Sequence, residues 1–196
     1  MMYKGSVRTN WVTGLALALV VVLAGRQPTQ AQTFAALYNF TGGADGGYPI
    51  VGVIRDAEGN LYGTTVYSGD LSCVNENGGD EPGCGVVFKL DTTGNETVLH
   101  TFIGTDGALP EAPVIRDAKG NLYGDTCRGG ANGWGTVFKV DTGGNETVLH
   151  NFNRGNGDGW GTSGPLLLDK GNLYGTTYNG GANGYGNGIR VEQEWH

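Results

Sequence analysis

Apolar and polar positions fall in short runs along most of this chain, and the same runs recur. In one stretch they are Pro113–Arg116, Leu122–Thr126, Thr136–Val140 and Glu146–Phe152, rich in Val, Ile, Thr, Tyr and Phe and bounded by Gly, Asn, Asp or Pro. Such runs predict β-strands, because branched and aromatic side chains suit a pleated surface while the bounding residues favour turns. After the N-terminal segment no apolar spacing of helical period occurs. The string G-N-L-Y-G begins at Gly59, Gly120 and Gly171, and F-K-[LV]-D-T-x-G-N-E-T-V-L-H-x-F begins at Phe88 and Phe138. A unit of about fifty residues is therefore repeated. The first copy carries roughly ten further residues between Gly69 and Gly85.

The links between runs are of two kinds. Residues 117–121 and 141–145 are short and carry hairpin-turn residues, since Gly and Asn tolerate positive φ. Residues 127–135 and 153–164 are longer, glycine-rich, and hold tryptophans. Four antiparallel strands A–D per unit predict an all-β fold built from four-stranded β-propeller blades. Strands in a meander alternate in direction, so the short A–B and C–D turns share one face. The long B–C and D–A loops share the other, and any bound partner is expected there.

The strings G-N-L-Y-G-T-T-x-x-G-G, G-x-G-T-V-F-K-[LV]-D, E-T-V-L-H-x-F and D-G-x-x-P, spread over roughly Leu37 to Gly186, resemble the choice-of-anchor tandem repeat family, also called GloVer repeat proteins. The resemblance implies an exported bacterial protein with a propeller-like array and a sorting or anchoring segment at its C-terminus. It supplies no catalytic residues to map. After Tyr185-Gly186, where T-V-F-K-L-D is due, the chain instead reads N-G-I-R-V-E-Q-E-W-H.

Residues 1–31 read as a signal peptide: Lys4 and Arg8 precede an apolar run from Trp11 to Ala24, and Thr29-Gln30-Ala31 ends the cleavage region. The run is short for a membrane span, which takes about 20 residues. The expected location is secreted or cell-envelope, with no transmembrane span after signal removal. The whole chain has net charge −7, and the charged residues of the removed segment are all basic. An acidic surface argues against nucleic acid, whose phosphates call for Lys and Arg.

Blades are expected at about 51–102, 112–152 and 164–192, with residues 34–40 as a separate D strand that completes the last one and 193–196 as a tail. That makes three blades, where propellers typically have four to eight. The array is expected to be an incomplete or minimal β-propeller: a truncated form of a longer array, or one that a second copy completes by self-association.

Several side chains are candidates for chemistry. Cys73 and Cys84 lie in the first unit's extra loop and Cys127 in the equivalent loop of the second. In an exported chain Cys73–Cys84 is the favoured disulfide, although pairings with Cys127 stay open. Trp134 and Tyr185 share one slot in G-A-N-G-[WY]-G, and Trp160 lies in a D–A loop. These rings either pack between blades or form, on the long-loop face, a stacking platform for sugar rings or an apolar ligand. Asp45, Asp106 and Asp158 each precede a glycine in the D–A loops and read as turn residues. Asn153-x-x-Asn156-x-Asp158 vaguely resembles the start of a calcium loop but lacks the downstream acid. No other cofactor or metal has a case.

His100 and His150 are repeat-equivalent, without an accompanying nucleophile. Asn39, Asn95 and Asn145 stand in N-x-T sequons, two of them already explained as turn residues. Asp56, Asp117 and Asp169 sit at the short-turn end and read as structural. No catalytic set emerges. The expectation is a binding or cell-surface scaffold that uses the long loops, with Trp134, Trp160, Tyr185 and Asp158 at its ligand surface. A carbohydrate-active hydrolase or lyase, or a remnant without function, is the alternative.

Overall fold

The computed structural model describes residues 33–74, 81–155, 157–162 and 164–192. The signal-peptide segment 1–31 and the tail 193–196 therefore lie outside the described residues. The chain divides into two units, Met1–Ala35 and Ala36–His196. In the first, residues 33–35 are in neither helix nor strand. The second holds three antiparallel four-stranded sheets and, among the described residues, no helix. It is an incomplete or minimal propeller-like array.

The first sheet runs β1 (Ile54–Arg55), β2 (Leu61–Thr65), β3 (Val86–Leu90) and β4 (Glu96–Thr101), in that spatial order. The second repeats it as β5 (Ile115–Arg116), β6 (Leu122–Thr126), β7 (Thr136–Val140) and β8 (Glu146–Asn151). Their registers coincide residue for residue, with Gly63 opposite Phe88 and Gly124 opposite Phe138. That pairing explains the closing glycine of G-N-L-Y-G. A Cβ on Gly63 would lie 2.7 Å from the Phe88 ring, and one on Gly124 would lie 2.6 Å from Phe138. The phenyl ring lies across the strand where a side chain would stand.

The last strand of each sheet carries a bulge. Val87 pairs with His100 and Phe88 with Val98, leaving Leu99 unpaired, and Leu149 is left over in the same way. Beyond the bulge the chain leaves its own sheet. Phe102 is fully buried, edge-to-face on Phe138 of the next sheet at 5.1 Å, and Phe152 packs with Tyr123, Leu166 and Leu173 between the second and third sheets. Each sheet thus closes the core of the one that follows.

Two expectations are corrected here. Residues 34–40 form no strand and do not complete the third sheet. Phe40 instead meets Phe88 of the first sheet at 4.9 Å, as Phe102 meets Phe138. The forward-reaching ring is present; the backbone ladder is not.

The third sheet has the order β10 (Leu167–Asp169), β11 (Asn172–Gly180), β12 (Asn187–Val191). Its fourth strand is β9 (Gly159–Thr162), which pairs with the far end of β11. Trp160, expected in a loop, is therefore a strand residue paired with Asn179. The reason lies in the length of β11, which runs nine residues where β2 and β6 run five. The equivalent contacts Gly47 with Tyr67 and Ala108 with Arg128 are single bridges.

Those bridges also join each D–A loop to the B–C loop of the sheet after it. Both kinds of long loop lie together at one end of the sheets. The short turns are closed by their aspartates. Asp56 accepts hydrogen bonds from Asn60 and from the Tyr62 hydroxyl, and Asp117 does the same with Asn121 and Tyr123.

Candidate functional surface on the long loops

At the seam between the second and third sheets the β6–β7 loop delivers Trp134, and β9 delivers Trp160. Their ring centroids are 4.9 Å apart with the planes tilted by 58°, and both indoles are half-buried. The Arg154 guanidinium, exposed, lies 5.0 Å from the Trp134 ring and 5.8 Å from Trp160. Arg128 lies 5.8 Å from Trp160. A guanidinium over an indole face is held by the ring quadrupole and is worth roughly 0.5–1 kcal/mol at exposed sites. Among the described residues neither arginine makes an ion pair. An acidic chain has here gathered two cations around two indoles.

The seam explains why the loops fold this way. Gly159 sits so close to Thr177 that a Cβ has no room, and Gly46 and Gly107 press in the same way on Thr65 and Thr126. The glycine of each Asp-Gly pair is therefore a point of close approach, and it sets the path that carries Trp160 to Trp134. Two residues beyond, the backbone turns into the left-handed region at Tyr48 (φ 60°) and Leu109 (φ 56°), with Gly161 at the third seam (φ 73°). Only the third copy uses the residue that takes this conformation without cost.

The aspartates of these pairs serve the fold. Asp158 Oδ2 lies 3.1 Å from His150 Nε2 and accepts the Asn153 N–H, while Oδ1 accepts the Gly159 N–H. Asp106 stands in the same way to His100 at 3.0 Å, and Asp45 accepts from the Tyr38 hydroxyl at 3.0 Å. Asn153 Oδ1 accepts from Gly155 N–H. The donors of the calcium-like string thus face their own loop, and Asn156 lies outside the described residues. Tyr185 is not brought to the tryptophans; it stands 92% exposed on the third sheet's loop.

Cys73 and Cys84 are joined as a disulfide with Cα atoms 5.8 Å apart, and Cys127 is free and half-buried. Cys84 occupies the slot that Trp134 fills one unit later, so the first loop is stapled where the second is packed. Burial pushes the Cys127 thiol up to about 11, with Glu111 adding to the effect and Arg128 opposing it. Such a thiol is a poor nucleophile.

Beside it Asp125 is almost wholly buried, with neither carboxylate oxygen hydrogen-bonded; the Thr162 hydroxyl donates to the Thr126 carbonyl. Burial raises the Asp125 carboxyl to about 7, Glu111 adding to this and Thr162 working against it. By the first sheet a shallow cavity of about 560 Å³ opens between Phe40, Tyr48, Ser68 and Pro82.

Sequence reasoning found both tryptophans and missed both arginines. Arg128 and Arg154 follow directly on Cys127 and Asn153, in loops where no repeated string marks them. The only signal was chemical: two of the few cations of an acidic chain, each in the same long connecting stretch as a tryptophan.

No curated protein matches this chain. A solved structure, described as that of a gluconolactonase by provisional assignment, is similar at 20% identity over 72% of this chain, with a TM-score of 0.39. The match covers 47% of that protein, so this chain spans about half its length. The model of the Gloeobacter/Verrucomicrobia repeat matches residues 68–194. This chain belongs to the Gloeobacter/Verrucomicrobia repeat family.

Proposed function

We propose that this repeat protein is a binding module, acting outside the cytoplasm, that recognises an acidic glycan of a cell surface. The observation that carries this reading is the pair of half-exposed indoles, Trp134 and Trp160, flanked by Arg128 and Arg154, which have no carboxylate partner among the described residues. An indole face takes the apolar face of a sugar ring, and a planar guanidinium takes a carboxylate with two parallel hydrogen bonds. Together they select a uronic-acid type of saccharide over a neutral one. Tyr178, 72% exposed, lies over Gly161 next to Trp160 and extends the aromatic surface. Asp158 holds the loop that carries this surface and is not itself a ligand residue.

The full chain, with its disulfide formed, is applied to an array of acidic and neutral glycans. Retention on uronic-acid saccharides is expected, lost in W134A and W160A and weakened in R154A. Failure of the intact chain to bind any glycan, or binding unchanged in the tryptophan variants, would overturn the reading.

A further inference from the structure

We propose that His100, Asp106 and Glu146 form a zinc site at the seam between the first and second sheets. The side chains come from three elements: His100 from β4, Asp106 from the following loop, and Glu146 from the start of β8. One ligand atom from each lies within 4.8 Å of the other two, and all three residues are half-buried. His100 Nε2 is 3.0 Å from Asp106 Oδ2, and the other oxygen of Asp106 accepts the Ile103 N–H at 2.9 Å, which orients the carboxylate. The third member is the informative one. Glu146 Oε1 is shut off from solvent and has no hydrogen-bond partner. A carboxylate oxygen stripped of water and left unpaired is costly, and a cation would restore what it lacks.

The repeat supplies its own comparison. At the seam between the second and third sheets His150 and Asp158 are paired at 3.1 Å, and among the described residues no glutamate joins them. At the first sheet Tyr38 stands where the histidine would, beside Asp45; Glu96, the counterpart of Glu146, likewise has an unpartnered buried oxygen. Among the described residues only the middle seam unites an imidazole with two carboxylates.

That donor set fits zinc. Imidazole nitrogen and carboxylate oxygen both bind it at about 2.0–2.2 Å in tetrahedral geometry, and three protein ligands leave a fourth position for water. Calcium, which takes six to eight oxygens, has too few here. Zinc would separate its ligands by roughly 3.3 Å, so the Glu146 side chain has only a small distance to close.

The test is calorimetric titration of zinc chloride into the metal-free full chain, disulfide intact, near neutral pH. One zinc per chain is expected, with affinity falling by at least about tenfold in E146Q and lost in H100A, while H150A and E96Q bind as the parent does. Circular dichroism of E146Q, whose side chain keeps its shape, guards against loss of fold. No zinc binding by the intact chain would overturn the proposal. Zinc binding that E146Q and H100A leave unchanged would overturn it too, as would calcium binding without zinc.

Discussion

The second and third sheets begin from nearly the same string, G-N-L-Y-G-D-T and G-N-L-Y-G-T-T, and finish differently. In the second sheet Tyr123 is fully buried because Phe152, Leu166 and Leu173 close over the seam to the third sheet, and Phe138 and Val140 are fully buried at the seam to the first. In the third, Tyr174 and Ile189 stand in the same places and are only half-buried, and Tyr178 is 72% exposed where Val66 of the first sheet is 2% exposed. Its ladder is intact, from Leu173 opposite Val191 to Thr177 opposite Asn187. Strand formation is thus local to a unit, whereas burial belongs to the seam between units. In a repeat array the stability of a unit is largely the stability of its interface with a neighbour.

That contrast can be broken most severely at the ring that closes each seam. Phe138→Ala removes a fully buried ring from the first-to-second seam and is expected to cost about 3–5 kcal/mol. Ile189→Ala at the equivalent, half-buried place costs about 1 kcal/mol. Urea unfolding of the two variants reads the difference, and equal losses would refute the idea that seams carry the stability.

A second test uses a buried position at which the repeats differ in charge. Thr64 donates its hydroxyl toward the Pro110 and Ala112 carbonyls; Asp125 holds that place in the second sheet, buried and unpaired. With its carboxyl raised to about 7 in the folded chain, the stability Asp125 contributes is intact below its unfolded value near 4 and is lost as pH climbs through 7. Asp125→Thr removes that loss. Measured as the difference from the parent, the variant should gain up to about 4 kcal/mol between pH 4 and pH 8. A pH-independent difference would show that Asp125 is solvated.

The aspartates of the hairpin turns have the opposite sign. Hydrogen bonds from Asn60 and Tyr62 overcome the burial that opposes ionisation of Asp56 and hold its carboxyl below the usual range. For this reason only a paired comparison isolates Asp125.

The long loops offer two gentler contrasts. The first is stapled by Cys73–Cys84 across an eleven-residue separation. Replacing both cysteines by alanine should lower stability by about 3 kcal/mol, mainly by freeing the unfolded chain. Mild reductant should reproduce the loss and leave the second loop, which has no staple, unaffected. Smallest of all, Asp106→Ala and Asp158→Ala each remove hydrogen bonds to a loop N–H and should cost about 1 kcal/mol by thermal unfolding.

Much of this was legible in advance. The runs Leu122–Thr126 and Thr136–Val140 are strands to the residue, and Glu146–Phe152 loses only Phe152, which turns away to fill the next seam. The Cys73–Cys84 bridge was legible because an eleven-residue step inside one loop needs no distant partner to be brought near. The bulges at Leu99 and Leu149 were hidden, since V-L-H reads equally well as unbroken strand. So was β9: G-W-G-T looks like loop until β11 extends far enough to meet it.

The period of the unit, its strands and turns, and the gathering of long loops at one end could all be read from the order of residues. Each of these depends on interactions that close within a few residues or across one hairpin. Only the packing of unit on unit decides which rings are buried, why the Asp125 carboxyl is raised, and how His100, Asp106 and Glu146 come together. Those outcomes depend on which unit lies against which, and copies so alike in sequence carry no local mark of their neighbours.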